Sequence, residues 1–149
     1  LFGAGFSSSQ EFYSSVILSL NYHPMKKDGK HTKYYENEQI EEEGYYKDGE
    51  KDGKWINYDE DGEKLSEINW KDGKMDGKSF SYYENGQINV DVYYKDGKRD
   101  GKYTFYNEDG TILTEIDYKD GKRDGKLFHY KEDGSIKKVE EYKDGELVK

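Results

Sequence analysis

The chain has 149 residues, 32% of them hydrophobic and 38% charged, with a formal net charge of −9 and no cysteine. The missing cysteine excludes disulfides, thiolate metal sites and cysteine nucleophiles, and the acidic balance argues against nucleic acid or anionic membrane as a partner, since both need clustered Lys and Arg. Such a composition is usual for disordered chains, but 16 Tyr at regular intervals and a single proline, Pro24, indicate a folded protein with little core per residue.

Residues 1–24 match nothing that follows. The segment LFGAGFSSSQEFYSSVILSLNY reads as two strands around a Ser-rich turn, with Val16, Leu18, Leu20 and Tyr22 alternating against Ser15, Ser19 and Asn21. Period-two alternation puts each set on one face of a strand. The chain starts at Leu1 without a charged leader segment, so we expect a piece of a longer precursor.

Residues 25–149 form an array of five 24-residue units. YKDGKRDGK occurs at Tyr94–Lys102 and again at Tyr118–Lys126, with near-copies from Tyr46 and Trp70. A second landmark, Glu-[Asp/Asn]-Gly, recurs at Glu60, Glu84, Glu108 and Glu132. Asp-Gly and Asn-Gly are strong turn signals, because glycine takes φ > 0 without steric cost. Each unit therefore reads as a β-hairpin, and YKDGKRDGK as the link to the next. Five hairpins edge to edge make roughly ten strands, or about 48 Å. The expected fold is all-β: an elongated single-layer antiparallel sheet with no helix between residues 30 and 147.

Parity suggests which residues are core. Apolar residues fall at even numbers on the first strand (Ile56, Tyr58, Phe80, Tyr82) and on the second (Ile88, Val90, Val92, Tyr94). A three-residue loop at Glu84-Asn85-Gly86, a type I turn with a glycine bulge, would pair Tyr82 with Ile88 and Phe80 with Val90. Both even sets then share one face. The expected structural repeat positions are the ladder Tyr58, Tyr82, Tyr106, Tyr130, its partner Trp70, Tyr94, Tyr118, Tyr142, and the turn glycines Gly62, Gly86, Gly110 and Gly134. The first unit departs from the pattern. Glu38 stands where later units have glycine, and Gly44 where they have Ile68, Val92 or Ile116.

Little in the sequence points to reaction chemistry. His23, His31 and His129 have no metal-ligand spacing, and Asp59-Glu60-Asp61-Gly62 lacks the later ligands of a calcium loop. Carboxylates on an open sheet lack the enclosure that shifts a pKa. No catalytic, metal or cofactor residue is expected, and no cofactor. The odd-numbered face is more informative. Units one and three carry Tyr34-Tyr35 with Tyr45-Tyr46 and Tyr82-Tyr83 with Tyr93-Tyr94, whereas units two and four carry Asp59 with Asn69 and Asn107 with Asp117. The true period is thus 48 residues, which either presents aromatics about 19 Å apart or records a duplication. The candidate interaction surface is Tyr35, Tyr45, Trp55, Tyr83, Tyr93, Tyr103 and Phe105.

The consensus G-K-x-x-x-Y-x-E-[DN]-G-x-[IL]-x-x-E-x-x-Y-K-D-G-K-x-D, in register from Asp28 to about Gly145, resembles the MORN (membrane occupation and recognition nexus) repeat in its bacterial variant. That resemblance implies a twisted single-layer sheet of consecutive hairpins acting as a non-catalytic scaffold that mediates protein–protein interaction. Some bacterial members carry antitoxin-type labels, and others a lipid-kinase label that needs a catalytic domain absent here. Residues 1–22 weakly resemble the last strands of an outer-membrane autotransporter anchor, and the plainer alternative is an ordinary strand capping the sheet. The alternatives to a scaffold are a structural tail or spacer of a bacterial cell-envelope protein, or an antitoxin-like neutralising protein. A protein partner is expected. The anchor resemblance implies outer-membrane association through residues 1–22 and a place in the envelope (periplasm, outer membrane or surface), with the cytoplasm left open.

Overall fold

The computed structural model describes residues 28–148, and all of its strands belong to one antiparallel sheet. In chain order they are β1 (Gly29–Tyr34), β2 (Ile40–Lys47), β3 (Glu50–Tyr58), β4 (Lys64–Lys71), β5 (Lys74–Met75), β6 (Gly77–Tyr82), β7 (Ile88–Lys95), β8 (Lys98–Tyr106), β9 (Ile112–Lys119), β10 (Lys122–Tyr130), β11 (Ile136–Lys143) and β12 (Glu146–Leu147). Each lies beside its sequence neighbour, with the short β5 pairing only with β4. No helix occurs among the described residues. The expected strand pair, cap or barrel remnant at residues 1–24 lies outside them.

Two kinds of turn build this meander. The wide one is the three-residue loop expected at Glu84-Asn85-Gly86. Tyr83 N–H donates to Gln87 O at 2.8 Å and Gly86 N–H to Tyr83 O at 2.9 Å, with Gly86 at φ 78°. The tight one is the link itself. Asp96 (φ 49°) and Gly97 (φ 81°) are both left-handed between the paired Lys95 and Lys98, which makes a two-residue type I′ turn, whose twist matches that of the strands. Each tight turn also rests on the unit before it: Gly97 N–H donates to Met75 O at 2.8 Å, and Asp96 N–H to Asp76 Oδ2 at 3.2 Å. The same pair of bonds recurs at Gly121 and Asp120, and at Gly145 and Asp144.

The parity expectation fails by one residue. Tyr82 does pair with Ile88, but the register then slips, so that Ser81 faces Val90 and Phe80 faces Asp91 rather than Val90. A one-residue bulge is the cause, and a shift of one exchanges the faces. The two aromatic ladders therefore lie on opposite sides. One side, here called the ridge face, carries the row Trp55, Ile68, Ser79, Val92, Tyr103, Ile116 and Leu127 together with Trp70, Tyr94, Tyr118 and Tyr142. The other, the carboxylate face, carries Ile56, Phe80 and Phe128 between Glu43, Glu67, Asp91 and Glu115, with Tyr58, Tyr82, Tyr106 and Tyr130. The buried hydrophobic residues Tyr46, Trp55, Val92, Ile116 and Leu127 all belong to the ridge face. That is where the core sits.

Gly44 is a consequence of Trp55. Trp55 is only 1% exposed, because His31 stacks on it with centroids 5.4 Å apart, Tyr46 meets it edge-on at 4.9 Å, and Lys51 Nζ sits 3.7 Å above the ring. Its Nε1–H donates to Tyr45 O at 3.0 Å. A Cβ at position 44 would clash with Cδ2, Cε2 and Cγ of the indole ring. The apparent degeneracy of the first unit is thus a fitted cavity.

Two stability predictions follow from turn and packing. Glu38 holds φ 68°, a conformation that costs a non-glycine residue about 1 kcal/mol. Glu38→Gly should raise the unfolding free energy, read from denaturant midpoints, by up to that amount, less glycine's greater unfolded-state entropy, and Gly86→Glu should lower it by at least as much; the opposite pair of signs would refute the turn assignment. Gly44→Ile should destabilise by about 1–3 kcal/mol through overpacking. Adding Trp55→Ser, which recreates the Ile68–Ser79 pair of the next unit, should recover most of that loss in a double-mutant cycle. Simple additivity would show that the two sites do not touch.

Candidate interaction faces

The carboxylate face is a ladder of one repeated contact. A central carboxylate takes a lysine from thirteen residues earlier and a tyrosine from fifteen residues later. Lys30 Nζ lies 3.1 Å from Glu43, Lys54 Nζ 2.8 Å from Glu67, Lys78 Nζ 2.9 Å from Asp91 and Lys102 Nζ 3.8 Å from Glu115. From the next hairpin, Tyr58 O–H donates to Glu43 at 3.0 Å and Tyr130 O–H to Glu115 at 2.7 Å. Tyr82 bonds Glu67 in the same way. The second bond crosses from one unit to the next, so the ladder joins hairpins as well as strands.

This ladder sets the titration of its members. Hydrogen bonds from Lys54 and Lys64 hold the buried Glu67 carboxyl down at about 2. Burial, reinforced by the bond to Glu43, pushes Tyr58 up to about 12. A carboxylate locked in its ionised form and already bonded to two ammonium groups has no proton to give and no free oxygen aimed at a ligand.

The expected interaction residues do not make one surface. Tyr45 and Tyr93 stand on the carboxylate face, 57% and 45% exposed. Tyr35 and Tyr83 are half-buried in the wide turns, where their hydroxyls donate to Tyr58 O and Tyr106 O, each at 2.7 Å. Trp55 is core rather than surface. Tyr103 is half-buried on the ridge face against Phe105, which is 37% exposed, with ring centroids 4.8 Å apart. The 48-residue period therefore has a structural origin. Asn37 and Asn85 likewise donate to Glu60 O and Glu108 O of the following turn. In units two and four the corresponding Asp59 and Asn107 close their own turns instead, through Asp61 N–H and Glu63 N–H and through Thr111 Oγ1.

The ridge face also carries cations that the alternation of apolar residues gives no sign of. Arg99 stacks on Tyr118 at 4.4 Å, and Arg123 on Tyr142 at 5.1 Å. Each also donates to that tyrosine's hydroxyl, at 3.1 and 3.3 Å. Among the described residues no group of three metal-ligating side chains comes together.

The hairpin unit and its two turns recur five times, the ladder contact four times, and the model of the MORN repeat variant matches residues 27–48, 51–72, 75–96, 99–120 and 123–144. The chain belongs to the MORN repeat variant family. MORN repeats are a non-catalytic type, found generally as modules that bind protein or membrane. No curated protein matches the sequence.

The MORN array should weaken in acid through its ladder. A carboxylate whose folded pKa lies below its unfolded value contributes stability above the unfolded pKa and loses it as pH falls toward the folded one. For Glu67 that window runs from 4.5 down to about 2, and Glu43 is lowered in the same direction by Lys30 and Tyr58. Urea midpoints should fall steeply across this range. Glu67→Gln should cost about 1–3 kcal/mol at pH 7, little at pH 2, and flatten the slope between them. A pH-independent cost would remove the charge from the argument.

Proposed function

We propose that the array is a non-catalytic scaffold that binds another protein, with residues 1–24 and 25–149 as separate parts of the molecule. The observation that carries this reading is the openness of the sheet. Among the described residues neither face carries a second layer, and large apolar side chains stand out from each: Tyr45 and Tyr93 on one, Phe105 on the other. Exposed aromatics on a rigid frame are the residues that interfaces use as anchors. The ionised, lysine-bonded carboxylates support a role without catalysis. The acidic charge supports a protein partner over nucleic acid or an anionic membrane.

A second reading is a structural spacer of a bacterial envelope protein. The regular docking of the later tight turns on the unit before them favours this, because the backbone bonds at Gly73, Gly97, Gly121 and Gly145 fix those four links alike. An envelope location follows from the resemblance carried by residues 1–22.

One experiment separates the two. Benzoylphenylalanine placed at Tyr93 or at Phe105 in the full chain, irradiated in the producing cell, should give a discrete protein adduct from at least one position. A folded chain that crosslinks to nothing from either position would favour the spacer.

A further inference from the structure

We propose that the ridge face of units three to five docks a protein segment in which a large apolar side chain stands beside an acidic one. This rests on the scaffold reading and names the partner's chemistry. Its first support is a gap in the ridge. Units two and four carry Trp55 and Tyr103 in the central row, and unit five carries Leu127, but unit three carries Ser79, with Ser81 two residues on. The resulting groove of about 210 Å³ is walled by Ile68, Met75, Val90, Val92, Tyr94 and Tyr103. A single large apolar side chain would restore the interrupted row.

The second support is charge. Arg99 and Arg123 are the chain's only arginines, and both sit on this face, Arg99 directly across from the groove wall Tyr94 and Arg123 across from Tyr118. Among the described residues neither makes an ion pair, although the chain has 33 Asp and Glu. Unit two shows what is missing. There Lys51, at the equivalent position, is neutralised by Glu42 at 2.6 Å. The residues 48 and 72 positions after Glu42 are Val90 and Thr114, so the arginines keep no carboxylate of their own. From Ser66 to Leu127 the strands present no carboxylate on this face. Each guanidinium is held by its tyrosine with fork donors left over, the arrangement that receives a carboxylate bidentately. The two lie about 10 Å apart, two strand spacings. A protein segment is favoured over a lipid surface because two cations in a chain of net charge −9 give a site and not a field.

Random dodecapeptides displayed on phage and selected on the full chain test this. The selected sequences should share Leu, Ile, Met or Phe within three residues of Asp or Glu. A synthetic peptide of that consensus should lose at least tenfold in affinity against three variants that keep the far-UV spectrum. These are Arg99→Gln with Arg123→Gln, which removes the forks; Val90→Glu with Thr114→Glu, which restores the internal neutralisation of unit two; and Ser79→Leu, which fills the gap with the side chain unit five uses. If Ser79→Leu does not fold, the charge variants decide alone. Selection of no peptide, peptides without acidic residues, equal affinity for the charge variants, or displacement by phosphatidylserine vesicles and not by excess unlabelled consensus peptide would each overturn the proposal. A crosslink at Tyr93 with none at Phe105 would leave the scaffold reading standing and sink this face alone.

Discussion

The described residues form a single sheet with no second layer of their own, so neither face can be fully buried within them, and the contacts of the array answer that constraint. Stability has to run along the sheet, from strand to strand and from unit to unit. The lysine–carboxylate–tyrosine ladder does this on one side and the aromatic row with its stacked cations on the other. The ladder is stronger than a set of surface ion pairs because the carboxylate is partly dry. Glu67 is buried and bonded by two lysines, one on each oxygen, so losing both would leave a carboxylate charge with little solvent. The tight turns add a third connection, tying each link back to the preceding hairpin by a backbone bond that no side-chain change can remove.

The wide turns answer the same constraint unequally. Tyr35, Asn37, Tyr83 and Asn85 reach the next turn, and their counterparts in units two and four do not. Units one and two are stitched at their wide turns, and so are units three and four. At the junction of units two and three, strand pairing is also split between β5 and β6, with Ser66–Ser81 and Glu67–Phe80 on one segment and Trp70–Met75 on the other. The array is therefore two double hairpins and a terminal one, and the groove at Ser79 opens beside the junction between the two doubles.

Fold and turn type were legible because they depend on short-range chemistry. Asp-Gly and Asn-Gly report φ > 0 directly, and position 38 takes the left-handed conformation its register requires even with glutamate there. The faces were not legible. Alternation is counted along the chain, and a one-residue bulge near Asn89 exchanges the faces without changing any spacing. Counting alone puts Trp55, an odd-numbered aromatic, on the surface, although it is the most deeply buried large side chain among the described residues. One signal in the sequence did hold the answer: Gly44 across from Trp55 is a loss of volume matched to a gain. The arginines without ion-pair partners were legible as well, through the replacement of Glu42 by Val90 and Thr114, but only once the register placed those residues on one face.

Trp55 and Ser79 occupy the same place in successive units, and the contrast between them separates structure from site. At Trp55 the row is filled from within: the facing residue has shrunk to Gly44, His31 and Tyr46 close over the ring, and Lys51 is neutralised by Glu42. At Ser79 nothing has grown to compensate. Ile68 and Val92 on either side keep their ordinary size, and the cations beyond them are left without carboxylates. A repeat under selection for rigidity alone would gain by closing that gap, since each buried methylene contributes about 0.8 kcal/mol. Its neighbours show three side chains, Trp55, Tyr103 and Leu127, that the same backbone accepts. An unfilled position with unneutralised arginines two and four strands further along the same face is a departure that the sheet's own stability does not account for, and an external side chain of matching size and charge does.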